Sequence, residues 1–217
     1  MPTHVLLIHG AATDSRVWKP VIAAGDWPAD IAFVVPDRPC AGGLDAEIEA
    51  LAGAAADALV VGVSGGATLV LELAQRGVAM AGGIAHEPAA GFLAPELLEP
   101  MVRAFDEGGP EAFGRALYGE QWQPAMAGDL AAVGRDLKAF RSFDPAPPES
   151  HVGPVLTTVG EQSPQIRHDV ATRYTDVFGY PSATIPNSGH FVQRNNPAAF
   201  AGLIAATWAG LSETMKS

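Results

Sequence analysis

The sequence predicts an α/β protein built on a doubly wound, mainly parallel sheet, and three observations carry that reading. Several short apolar runs are continuous rather than alternating, as expected of strands covered on both faces. Helix-like stretches separate most of them, which is the order of a βαβ architecture. At 217 residues, 48% of them apolar and 17% charged, the chain fits one domain, spanning 1–217, with a large core.

The strand-like runs are Val5-Leu6-Leu7-Ile8, Ile31-Ala32-Phe33-Val34-Val35, Ala58-Leu59-Val60-Val61, Ala81-Gly82-Gly83-Ile84-Ala85, Val155-Leu156-Thr157-Thr158-Val159 and Ala183-Thr184-Ile185. Helices are expected from Leu44 to Asp57, Ala67 to Gln75, Arg167 to Val177 and Pro197 to Leu211, the first opening near Asp45 as its N-cap. The alternation fails once. Between Pro88 and Pro154 only amphipathic helical patterns occur, over Leu93–Phe105, Glu111–Tyr118 and Met126–Phe143, punctuated by Gly108-Gly109-Pro110, Gln123-Pro124 and Pro145-Ala146-Pro147-Pro148. Residues 89–152 are therefore expected to form a helical lid, with a surface elaboration packed onto the sheet by its aromatics as the alternative. Its aromatic residues Phe92, Phe105, Phe113, Tyr118, Trp122 and Phe140 suit the roof of an apolar pocket.

A formal charge of −11 without a basic run makes nucleic acid and anionic membrane surfaces poor partners. No apolar run is long enough to span a bilayer. Met1-Pro2-Thr3-His4 has neither the charged region nor the cleavage site of a signal peptide, and the single cysteine, Cys40, forms no internal disulfide, so a cytoplasmic location is expected. Cys40 lies in the turn Pro39-Cys40-Ala41-Gly42-Gly43 with no histidine close by in sequence, and reads as an incidental loop thiol.

Gly62-Val63-Ser64-Gly65-Gly66 fits G-x-S-x-G, with a buried-strand pattern ending at it and a helical pattern starting from it. That context is a nucleophile elbow: small residues two before and two after the serine let strand and helix approach, and the turn lifts Ser64 Oγ clear of the sheet. The Gly65 N–H then lies at a helix N-terminus, where it can stabilise an oxyanion. A serine at neutral pH needs a base. Pro186-Asn187-Ser188-Gly189-His190-Phe191 follows the last strand, which puts His190 on the rim that carries Ser64. His4 and His151 precede strands, His168 falls in a helix, and His86 ends a strand as a packed residue.

In these parts the sequence resembles the α/β-hydrolases. The resemblance rests on Ile8-His9-Gly10-Ala11 after the first strand, the Ser64 elbow, His86-Glu87-Pro88 after the next strand, and Ser188-Gly189-His190-Phe191 near the end. It implies that the Ala11 and Gly65 N–H groups form an oxyanion hole. It also implies that the family's two opening strands are missing, so that six remain; Trp18, further along the His9 loop, is expected to pack beneath the lid, with a substrate contact as the alternative. The family's usual acid, an Asp three residues past the Gly that ends the penultimate strand, is absent: Ser163 stands there, after Gly160. Glu87, at the end of the strand after the elbow, is the leading replacement, as in haloalkane dehalogenases. Asp169, Glu161 and a Ser163-assisted dyad remain alternatives.

The expected chemistry is hydrolysis of a small, apolar carboxylic ester, thioester or lactone through an acyl-enzyme, with Ser64, His190 and Glu87 as the catalytic set. Serine at the elbow disfavours dehalogenase and epoxide hydrolase chemistry, which needs a carboxylate nucleophile. Neither metal nor cofactor is implied, because no His/Cys/Asp cluster shows ligand spacing and G-x-G-x-x-G is missing after the first strand. A lyase, perhydrolase or C–C hydrolase on the same scaffold, and a non-enzymatic ligand-binding protein, are the competing readings.

Overall fold

The computed structural model describes residues 2–29 and 31–214. In chain order its strands and helices are β1 (Val5–Ile8), α1 (Lys19–Ala24), β2 (Phe33–Val34), α2 (Leu44–Ala55), β3 (Leu59–Val63), α3 (Gly65–Gln75) and β4 (Gly82–His86). There follow α4 (Glu99–Tyr118), α5 (Ala132–Arg141), β5 (Val155–Gly160), α6 (Gln165–Phe178), β6 (Ser182–Ile185), α7 (Val192–Asn195) and α8 (Pro197–Thr214). The six strands form one sheet in the order β2-β1-β3-β4-β5-β6, with every pair parallel. The strand order reverses between β1 and β3, and both strands end their carboxyl termini at that switch point, the usual ligand crevice of an open α/β sheet.

The continuous apolar runs form strands because helices cover both faces. β1, β3 and β4 are buried at every position. α2 and α3 pack together on one face and α1 with α8 on the other, as right-handed crossovers require. At the edge, β2 shrinks to two residues paired only with β1, shorter than its five-residue apolar run. α2 starts from Gly43 rather than Asp45; the Asp45 carboxylate lies in the first turn and pairs with Arg76 at 2.7 Å. Trp18 is fully buried and stacks on Phe200 of α8 with ring centroids 6.0 Å apart.

That segment holds no strand. α4 is two helical pieces broken at Gly109, whose φ of 66° precedes Pro110. Proline lacks the N–H that would continue the ladder, so the break falls where the Gly-Gly-Pro triplet predicts it. α5 is shorter than the expected 126–143 helix, because Pro124–Met126 forms a separate 3₁₀ turn.

Candidate active site

Ser64 occupies the turn between β3 and α3 with φ 59° and ψ −123°, a left-handed conformation that a non-glycine residue rarely adopts. The neighbouring glycines make the turn possible. A Cβ on Gly62 would collide with the Gly66 backbone, and one on Gly66 with the Ile8 carbonyl of β1. The serine N–H is held by the His86 carbonyl at 2.9 Å. Ser64 is 8% exposed and faces a small cavity of ≈ 30 Å³.

His190 lines the same cavity from the loop after β6. Its Nδ1 lies 2.8 Å from Glu87 Oε2, and its Nε2 is buried without a hydrogen-bond partner. Glu87 follows β4 in another left-handed conformation, φ 51°. Its Oε1 accepts the Gly160 N–H at 2.8 Å and the Ser163 hydroxyl, and Arg167 Nε of α6 lies 3.0 Å from Oε2. Ser163 therefore donates a hydrogen bond to the carboxylate that stands near the family's usual acid position. Burial alone would push the Glu87 carboxyl upward. The hydrogen bond to His190 and nearby positive charge outweigh it and hold Glu87 well below the usual carboxylate range. Burial also keeps His86 neutral-leaning, so Arg167 is the lasting charge of that set. The His190 imidazole is pushed down to about 4, by burial first and then by Arg167, against the raising influence of Glu87. At neutral pH this ring is an uncharged base.

The alternatives to Glu87 lie elsewhere. Glu161 accepts the Asn187 N–H at 2.8 Å, and Asp169 accepts from the Gln165 amide at 2.9 Å on the exposed side of α6. Neither lines the cavity, and neither do His4, His151 or His168. His86 is fully buried, with Nδ1 3.0 Å from the Thr158 hydroxyl.

Ala11, after β1, and Gly65, first residue of α3, border the cavity on the side of Ser64. The loop carrying Ala11 is held by side chains that the sequence marked only as aromatic residues of the helical segment. Tyr118, from the end of α4, donates to the Ala11 carbonyl at 2.8 Å and stacks on the His190 ring at 5.5 Å between centroids. Its hydroxyl stands so close to Ser64 that a Cβ on Gly10 would press on both. Trp122 donates to the Ala12 carbonyl at 2.7 Å. Arg167 and Thr68 also line the cavity, and the segment after β4 contributes an apolar wall of Leu98, Met101, Phe113, Leu117, Leu137 and Phe140.

Cys40 does not approach this site. Burial pushes its thiol up to about 12, which leaves little thiolate at neutral pH. Folding does bring Cys40, Glu47 and Asp136 together, with potential ligand atoms within 4.8 Å of one another, a cluster that linear spacing did not reveal. The Arg38 guanidinium already sits on both carboxylates, 3.2 Å from Glu47 and 2.7 Å from Asp136, so a cation is built into the cluster.

Residues 5–203 match the model of the Alpha/beta hydrolase family, and the chain belongs to that family. MenH from S. aureus superposes with a TM-score of 0.72 at 15% identity, covering 97% of this chain and 94% of that one. The N-acyl homoserine lactonase AidH gives 0.73 at 19% identity, with 97% and 91% covered. Carboxylesterase CesB from Bacillus subtilis gives 0.68 at 16% identity, with 96% and 84% covered. At these identities the likeness is one of fold. No curated protein matches the sequence. No helix among the described residues is long and apolar enough to cross a membrane.

Proposed function

We propose that this protein is a serine hydrolase that cleaves a small carboxylic ester, thioester or lactone through an acyl-enzyme. One observation carries the reading: Ser64 on a strained elbow shares a cavity with a neutral histidine whose Nδ1 is bound to an ionised carboxylate and whose Nε2 is free. A carboxylesterase, a lactonase and a thioesterase among the structural neighbours support it.

His190 Nε2 takes the proton of Ser64 Oγ as the oxygen attacks the carbonyl carbon. Glu87 fixes the tautomer with the proton on Nδ1 and stabilises the imidazolium as it forms. The carbonyl oxygen becomes an oxyanion held by the Ala11 and Gly65 N–H groups. Collapse expels the alcohol or thiol, which receives the proton from His190; water, deprotonated by the same ring, then releases the acid. Residues 89–152 act as the lid, whose apolar wall around a cavity of ≈ 30 Å³ favours small, uncharged acyl groups.

The test is turnover of p-nitrophenyl esters of graded chain length by wild type and Ser64→Ala. The serine variant is expected to lose about 10⁴-fold or more in kcat with an unchanged melting temperature. Retained turnover, or an acyl adduct on another residue, would overturn the reading.

A further inference from the structure

The oxyanion loop is fastened by its carbonyls, and most of the fastening comes from outside the loop. Four consecutive carbonyls each accept a side-chain hydrogen bond. His9 O accepts from Arg38 Nε at 2.9 Å, Ala11 O from Tyr118 and Ala12 O from Trp122. Gly10 O, the carbonyl of the peptide unit that carries the Ala11 N–H, has three donors around it: Thr13 Oγ1 at 3.0 Å, Arg38 Nη2 at 3.2 Å and His9 Nδ1 at 3.0 Å. His9 Nε2 accepts the Arg38 backbone N–H at 3.0 Å, so the ring proton resides on Nδ1 and donates to Gly10 O.

Arg38 is itself held from the helical segment. It is buried, and α5 supplies Asp136, whose Oδ2 lies 2.7 Å and Oδ1 3.3 Å from the guanidinium in a two-point pair. Phe140 of the same helix lies under the guanidinium at 5.4 Å. In a trans peptide the C=O and N–H point in opposite directions. Fixing Gly10 O therefore fixes where the Ala11 N–H points, and a charged donor on the oxygen polarises the unit and strengthens its N–H as a donor.

We propose that Arg38, clamped by Asp136 of α5, is a positioning residue that aims and polarises the Ala11 N–H toward the oxyanion. It touches no reacting atom. The segment after β4 is thus the support of the oxyanion hole as well as the roof of the pocket, so displacing α5 slackens the hole while it opens the cavity. This inference rests on the acyl-enzyme reading above.

Asp136→Asn retains the shape but loses the closer of the two carboxylate charges on Arg38, leaving Glu47 at 3.2 Å. Melting temperature, kcat and KM on p-nitrophenyl butyrate, and the inhibition constant of an alkyl trifluoromethyl ketone, which adds to the serine and places an oxyanion in the hole, are measured together. The expected result is a fall in kcat of about tenfold or more, below the 10²–10³ of losing an oxyanion donor outright. KM should change little, and ketone affinity should fall by the same factor as kcat/KM. A lower melting temperature with kcat and ketone affinity at wild-type values in the folded enzyme would show a merely structural pair and overturn the proposal. Thr13→Val removes one donor from Gly10 O without disturbing a buried charge, and carries the test if Asp136→Asn does not fold. A smaller loss with the same kcat-against-KM split supports the proposal, and unchanged constants overturn it. Ser64→Ala separates the two readings: if it is inactive while these variants behave as wild type, only the clamp fails; if it is active, the acyl-enzyme reading fails.

Discussion

Glu87 has its two oxygens engaged by four groups, which makes its charge hard to replace. Gly160 N–H and Ser163 hydroxyl serve Oε1, while His190 Nδ1 and Arg167 Nε serve Oε2. In Glu87→Gln the amide places an NH₂ against either pair of donors, so one side loses its hydrogen bonds and the imidazolium loses its counter-charge. The expected loss in kcat is up to about 10⁴-fold, checked with the melting temperature; a normal rate in folded Glu87→Gln would remove it from the catalytic set. Arg167 works on the same ring from the other direction. Together with burial it helps push His190 down to about 4, so the acid limb of kcat/KM is expected near that value rather than near 6.5. Removing a positive neighbour makes protonation easier, so Arg167→Gln should move the limb to higher pH. Glu87 keeps its other three partners in that variant. A pH–rate profile of the two proteins decides it, and a limb that stays in place or moves down sinks the assignment.

At the scale of elements, α5 and the elbow are packed against each other by one ring. A Cβ added to Gly65 would run into Phe140, and Phe140 also lines the cavity that Ser64 faces. Phe140→Ala is expected to shift preference toward longer acyl chains, at a stability cost of about 3–5 kcal/mol. The ratio of kcat/KM for p-nitrophenyl octanoate to acetate measures it; a ratio equal to wild type would mean that Phe140 does not bound the acyl site. How far such an element could be read from the sequence depended on how local its signal was. The strands were legible because continuous apolar runs report burial on both faces, and the elbow because Gly62 and Gly66 sit at fixed offsets from Ser64. Glu87 was legible only as the residue ending the next strand. Arg38, Asp136, Tyr118 and Trp122 were not legible as partners of the loop that carries Ala11. Their partners lie about a hundred positions away, 98 for Arg38–Asp136 and 107 for Tyr118–Ala11, and no periodicity or spacing encodes such a meeting. Trp18's stacking partner was equally illegible, because Phe200 of α8 comes from the far end of the chain.

Across the whole molecule, the site's buried histidines tie stability to pH. His9 is pushed down to about 3 and His190 to about 4, each by burial first, and His86 is lowered for the same reason. In the unfolded chain all three titrate near 6.5. Above that pH both states hold the rings neutral and the stability contribution is fully present. As pH falls from about 6.5 toward 4, the unfolded chain takes up protons that the folded one refuses, so stability drops by up to about 1.4 kcal/mol per pH unit for each ring. Two effects run the other way. Glu47, raised by burial, binds its proton earlier in the folded state than in the unfolded one. The net charge of −11 is relieved as carboxylates protonate, which lessens self-repulsion, but that gain comes mainly near and below the ordinary carboxylate range of about 4. Between pH 7 and 5 the histidines should therefore dominate, and urea midpoints taken at pH 7, 6 and 5 should fall steadily. A midpoint that holds level or rises over that interval would mean that the rings bind protons in the folded protein as readily as in the unfolded chain, and with that the neutral state on which the proposed role of His190 depends would be lost as well.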